Sequence, residues 1–148
     1  MKSFENESLT RPCIAWDESM SVGVKALDEE HRELLGTLNE LHEEILAGGQ
    51  LDDFEVIIER FVLLIKAHLA HEEELLVAAG CPEEDAEAHH RVHDQIIART
   101  LTTQAGFRCD APPEITPEGV DELAAWLIEH IKGPDMACGI YLNAQGIY

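Results

Sequence analysis

Leu, Ile, Val and Phe recur every three or four positions in four separate stretches of the chain, the period of an amphipathic helix. The first stripe, His31, Leu34, Leu35, Leu38, Leu41, His42 and Ile45, predicts a helix that starts near Asp28, a good N-cap, and ends at Gly48-Gly49. The second begins near Asp52 and runs through Phe54, Ile57, Ile58, Phe61, Leu64, Ile65, His68, Glu72, Leu75 and Leu76, until Gly80 stops it and Pro82 prevents continuation. The third starts near Pro82-Glu83-Glu84, since proline is tolerated in a first turn, and turns Ala86, His89, His93, Ile96, Ile97 and Leu101 inward. Residues 105–116 read as a loop, marked by Gly106 and Pro112-Pro113. Thr116-Pro117 then opens a last helix carrying Val120, Leu123, Trp126, Leu127 and His130, which Gly133-Pro134 disturbs. Short connections between the first three helices make them antiparallel neighbours. The expected fold is all-α, an up-down-up-down antiparallel four-helix bundle. Residues 1–20 lack periodicity and read as an N-terminal arm lying over a domain formed by residues 21–148.

A length of 148 residues suits one domain with a real hydrophobic core. Ten Lys and Arg against 30 Asp and Glu give a formal charge of −20, which repels phosphate backbones and anionic lipid and argues against a nucleic-acid partner. No apolar run reaches the roughly 18 residues of a membrane span. The first residues, Met1-Lys2-Ser3-Phe4-Glu5, place an acid where a signal peptide needs a basic patch and an apolar run. Cys13, Cys81, Cys109 and Cys138 are far apart and form no Cys-x-x-Cys pair. Together these features lead us to expect a cytoplasmic protein with free thiols.

The chemistry lies in what interrupts the apolar stripes. Histidines and carboxylates are costly on a core-facing stripe unless something binds them. His68 with Glu72, and His89 with His93, are spaced four apart and so share a helix face. His31 joins them from the first helix, and the last helix offers His130 and Asp135. Five residues of regular helix would turn Asp135 roughly 140° away from His130. Pro134 has no N–H to return to the His130 carbonyl, so a kink or wide turn is expected between Ile131 and Asp135, bringing the carboxylate back to the bundle axis. Imidazole-rich sites suit iron, zinc or copper, and seven side chains exceed the roughly four that one zinc takes. Two octahedral irons make about twelve bonds. Five imidazoles, two bridging carboxylates and an oxo or hydroxo bridge fill all but one, leaving a place for a small apolar ligand such as dioxygen. His42 falls too far along its helix to join the set, and His71 and His90 point off their stripes.

The motifs Trp16-Asp17, Val22-Gly23-Val24, Leu27-Asp28-Glu29-Glu30-His31, His68-x-x-x-Glu72, His89-x-x-x-His93 and His130-x-x-x-x-Asp135 together resemble those of the hemerythrin family in its bacterial single-domain form, the bacteriohemerythrins. The resemblance spans nearly the whole domain. It implies a non-haem centre of two iron ions with an oxo or hydroxo bridge, binding dioxygen reversibly for storage, delivery or sensing and acting as no enzyme. Carried over, it makes His89, His93 and His130 the terminal ligands of one iron. His31 and His68 would hold the iron with the free position, and Glu72 and Asp135 would bridge both. The competing expectation is a di-iron enzyme on the same bundle, a peroxidase, an NO- or O₂-scavenging reductase or a ferroxidase. A sensing role would need a separate redox or signalling partner. The chain departs from the family pattern in the long connection before the last helix, the N-terminal extension and Pro134.

Overall fold

The computed structural model of the chain describes residues 14–106 and 115–148. The arm expected at 1–20 is therefore described only from Ile14, and most of the loop expected at 105–116 lies outside the described residues, as do Cys13 and Cys109. A short 3-10 turn (Glu18–Met20) precedes α1 (Lys25–Leu46), α2 (Leu51–Ala78), α3 (Glu83–Gly106) and α4 (Pro117–His130). A π turn (Ile131–Asp135) follows, and α5 (Met136–Ala144) continues the last rod.

Polar side chains fix the helix starts in ways the apolar pattern conveys only in part. Helix α1 begins three residues earlier than Asp28, at Lys25. Asp28 is not its N-cap. From inside the first turn its carboxylate reaches back to accept from Ser21 Oγ at 2.6 Å and Val22 N–H at 2.8 Å, closing the segment that leads into the helix. Helix α2 starts with a reciprocal cap in which the Gln50 side chain and the Asp53 carboxylate each bond the other's backbone N–H. Thr116 caps α4 as expected, accepting from Gly119 N–H at 3.1 Å, with Pro117 in the first turn. After α1, Gly48 takes φ +75°, a left-handed conformation that strains residues with a Cβ and so breaks the helix cleanly.

The rods run antiparallel, which the pairs between them show directly. Along α1 and α2, Glu30 meets His71 while Glu40 meets Arg60. Between α1 and the last rod, His31 meets Asp135 of the π turn while His42 meets Asp121 of α4. Glu73 meets His90 near the α2–α3 turn, whereas Ile58 and Phe61, far back along α2, share a cavity with Arg99 and Thr100 of α3. Leu123 and Trp126 of α4 line that same cavity and complete the ring. Leu27, Leu34, Leu38, Leu69, Leu127, Ile131 and Leu142 are fully buried between the rods. Each contributes on the order of 2 kcal/mol by leaving water. Helix α3 is the most exposed rod, with only His93 and Ile96 fully buried. Leu101, expected to face inward, is 39% exposed, because at this level Thr100 and Thr103 are the α3 positions that face α2 and α4. Ile14, at the start of the described chain, exchanges two hydrogen bonds with Asn39, and Arg32 of α1 lies 4.6 Å from the Trp16 ring centre.

The segment before α1 lies tightly on α5. A Cβ at Gly139 would stand 1.9 Å from the Val22 carbonyl oxygen, so only glycine permits this approach. Gly36, exposed in the middle of α1, has no atom within 4 Å of such a Cβ. Gly139→Ala should therefore destabilise the fold by about 1–3 kcal/mol, and Gly36→Ala should stabilise it by about 0.5–1 kcal/mol. Urea denaturation of the two variants beside the parent checks both signs.

Candidate metal centre

All four rods send a histidine to one point on the bundle axis. His31 comes from α1, His68 from α2, His89 and His93 from α3, and His130 from the end of α4. Glu72 lies one turn beyond His68. Asp135 arrives by way of the π turn, in which the Met136 N–H reaches back to the Ile131 carbonyl five residues earlier. An i→i+5 turn brings positions five apart back to one side, so His130 and Asp135 face each other as the break at Pro134 predicted. The Asp135 carboxylate is 1% exposed and lies 3.0 Å from His130 Nε2.

The five imidazoles all turn Nε2 toward the two carboxylates. Asp135 Oδ2 lies 3.0 Å from His31 and 3.9 Å from His68, and Asp135 Oδ1 faces His130. Glu72 Oε2 lies 3.6 Å from His68, while Glu72 Oε1 faces His93 at 3.3 Å and contacts His89. Each carboxylate thus shows one oxygen to His31 and/or His68 and the other to members of the set His89, His93 and His130. Two four-residue groups result, His31-His68-Glu72-Asp135 and Glu72-His89-His93-Asp135, each with donor atoms within 4.8 Å of one another. Glu72 and Asp135 belong to both. His130 joins through Asp135.

His31 Nε2 pairs with His68 Nε2 at 3.0 Å and His89 Nε2 with Glu72 Oε1, but several other atoms of the set are poorly aligned for hydrogen bonding. Glu72 Oε2, His93 Nε2, His130 Nε2 and both Asp135 oxygens are buried without a hydrogen-bond partner. Such orphaned acceptors are costly, and lone pairs converging on a common point are what a cation requires. The local field favours positive charge. Burial alone would lower the His68 pKa, yet Asp135, Glu30 and Glu72 raise it to about 9. Burial likewise opposes ionisation of Asp135, but His130, His31 and His68 hold its carboxyl well below the usual range. Protons and a metal ion compete for these donors, so a cation would bind by displacing protons.

Two further acids support the centre from outside. Glu73 lies 2.9 Å from His93 Nδ1, and Glu30 lies 3.4 Å from His68 Nδ1. A carboxylate on the outer nitrogen fixes the tautomer and leaves Nε2 free to coordinate. Pattern reading missed both because each directly adjoins a core position, about 100° round the helix, where an acid reads as solvent-facing. His71 and His90 are partly exposed as expected, but each also pairs with one of these acids: His71 with Glu30 at 2.8 Å and His90 with Glu73 at 2.9 Å. His42 lies away from the centre, beside Asp121.

A four-rod bundle with two overlapping sets of histidine and carboxylate donors defines a helical cation-binding domain. Comparison with known proteins agrees. Residues 22–137 match the family described as Hemerythrin HHE cation binding domain. The bacteriohemerythrin of Stenotrophomonas maltophilia (strain R551-3) is 34% identical over 134 residues, covering 89% of this chain and 83% of that protein. The myohemerythrin of Theromyzon tessulatum is 30% identical over 120 residues, covering 81% and 86%. A crystal structure of a hemerythrin point mutant superposes with a TM-score of 0.79 at 20% identity, covering 89% of this chain and 98% of the other. The chain belongs to the hemerythrin family, among its bacterial members.

Because Glu73 orients His93 without reaching the centre itself, Glu73→Gln should lower divalent-cation affinity about 10–100-fold while leaving the helical content intact. Competition against a chelator of known affinity measures the change. Unaltered affinity would show that the 2.9 Å contact to His93 does not set the geometry of the site.

Proposed function

We propose that this chain binds dioxygen reversibly at a pair of iron ions held by His31, His68, Glu72, His89, His93, His130 and Asp135, for storage, delivery or sensing of the gas. One observation carries the reading: Glu72 turns one oxygen toward His68 and the other toward His89 and His93, and Asp135 turns one toward His31 and His68 and the other toward His130. Carboxylates shared in this way would each serve both halves of the site, so the donor set fits two metals. It provides two imidazoles on one side and three on the other. The side with His31 and His68 offers one imidazole fewer, and a metal held there would have room for an exogenous molecule.

Iron bound there would supply the electrons for reversible capture of dioxygen. On the side of His31, His68 and His130 the neighbouring positions are apolar. Leu27 and Leu34 flank His31 on α1, Leu69 follows His68, and Leu127 and Ile131 flank His130, all fully buried. A neutral diatomic enters such surroundings more readily than water or an ion. Two carboxylates against five neutral imidazoles leave a pair of divalent ions with residual positive charge. Carboxylate-rich sites neutralise their metals and stabilise more oxidised states, so this donor set favours holding dioxygen over cleaving it. Glu30 meets the outer nitrogen of His68 and therefore does not bring an extra proton donor inside.

Loading with iron(II) under argon should give two irons per chain. Admitting dioxygen should produce a new absorption band that argon purging removes, over repeated cycles. Irreversible passage to a diferric spectrum with consumption of a reducing substrate would overturn the binding reading in favour of catalysis. Replacing both His31 and His68 with Ala should lower iron content toward one per chain, whereas His42→Ala should leave it at two.

A further inference from the structure

A cavity of about 410 Å³ lies between α2, α3, the π turn and α5, with Asp85, Ala88, His89, Pro134, Ala137 and Cys138 among its lining. Asp85, Ala88, Pro134 and Ala137 are exposed, so this wall opens to solvent. Its inner end reaches the centre: His89 is in contact with Glu72, and Pro134 directly precedes Asp135. The His89 side chain is 14% exposed, whereas those of His31, His68 and His93 are at most 2% exposed. No residue of α1 lines the cavity, so it meets the three-imidazole side and not the side with His31 and His68.

We propose that this cavity is the loading route for a divalent cation, with Asp85 receiving the ion at the mouth and His89 taking it over at the inner end. The proposal rests on the reading of the centre as a metal site. His31, His68, Glu72, His93 and Asp135 are sealed from water and the His130 side chain is 9% exposed, so a hydrated cation reaches the centre most directly beside His89, the most exposed of the seven. Asp85 and His89 stand four residues apart on α3 and so share one face, about 6 Å apart along the axis. That is a single step between a carboxylate and an imidazole. The walls between them carry the aliphatic side chains of Leu76, Ala88 and Val92 together with Cys81, Cys138 and Tyr141. A dioxygen route has no need of a carboxylate at its mouth, and it would lead to the two-imidazole side.

A route differs from a ligand in what it changes. It alters loading and release by the same factor and leaves the equilibrium untouched. The chain, freed of metal, is mixed with Co²⁺ in a stopped-flow instrument, and then with iron(II) under argon. Release is followed by adding excess chelator. Ala88→Leu combined with Ala137→Leu adds bulk at two exposed helical positions and should slow both rates roughly tenfold, with metal content and affinity unchanged. Asp85→Asn should slow loading by several-fold, on the order of the gain from a focusing charge, while Glu84→Gln, with the same charge loss outside the lining, should not. Asp85→Asn adds no bulk and carries the test if the double variant packs poorly. Loading at the parent rate in both variants overturns the route, as does slowed dioxygen association with unaltered metal loading. A parent chain that takes up no cation overturns the metal-centre reading as well.

Discussion

Glu72 and Asp135 are ionised carboxylates with essentially no exposure, set among His31, His68 and His93, which are buried as deeply. Moving an ion from water into such a place costs several kcal/mol, and well-packed apolar residues of similar volume would make the bundle as stable or more so. Mutual attraction offsets part of that cost, but the orphaned oxygens of Asp135 show that it leaves the valences incomplete. The rest of the molecule answers this constraint: four rods must be long, antiparallel and rigid enough to aim donors from different stretches of chain at one point.

The constraint falls unevenly on the rods. Helices α1 and α2 are held together by continuous stripes of Leu, Ile and Phe and would pair with or without a centre. Helix α3 has only His93 and Ile96 fully buried. Much of what docks it is polar: His89 and His93 on Glu72, and His90 and His93 on Glu73. A cation joining His89 and His93 to the bridging carboxylates would clamp α3 to the bundle. Binding energy at the centre would then count directly as stability of this rod. The same looseness is where the cavity opens.

Glu30 and Glu73 extend the site outward by one layer, each shared between a buried imidazole and a partly exposed one. On the other flank Trp126 stacks against His130 at 6.4 Å and carries Arg99 on its face at 4.9 Å. Buried donors are thus held from behind by groups that reach the surface. That arrangement limits the rotation of each ring and keeps Nε2 pointed inward.

The four helices, the stripes they bury and the seven side chains that converge on the bundle axis were legible in the chain because a helix has one period and a charged group on its apolar face stands out against it. Gly133-Pro134 marked the irregular turn before Asp135 because proline cannot complete a regular helical bond. Only the folded arrangement decided the rest. Periodicity says which face a residue occupies, not which neighbour it meets. The roles of Glu30, Glu73 and Asp28, the outward turn of Leu101 and the cavity at His89 therefore depend on how the rods pack side by side. The division of Glu72 and Asp135 between two sets of histidines is likewise a fact of three dimensions, since it requires atoms from distant stretches to be brought within a few ångströms.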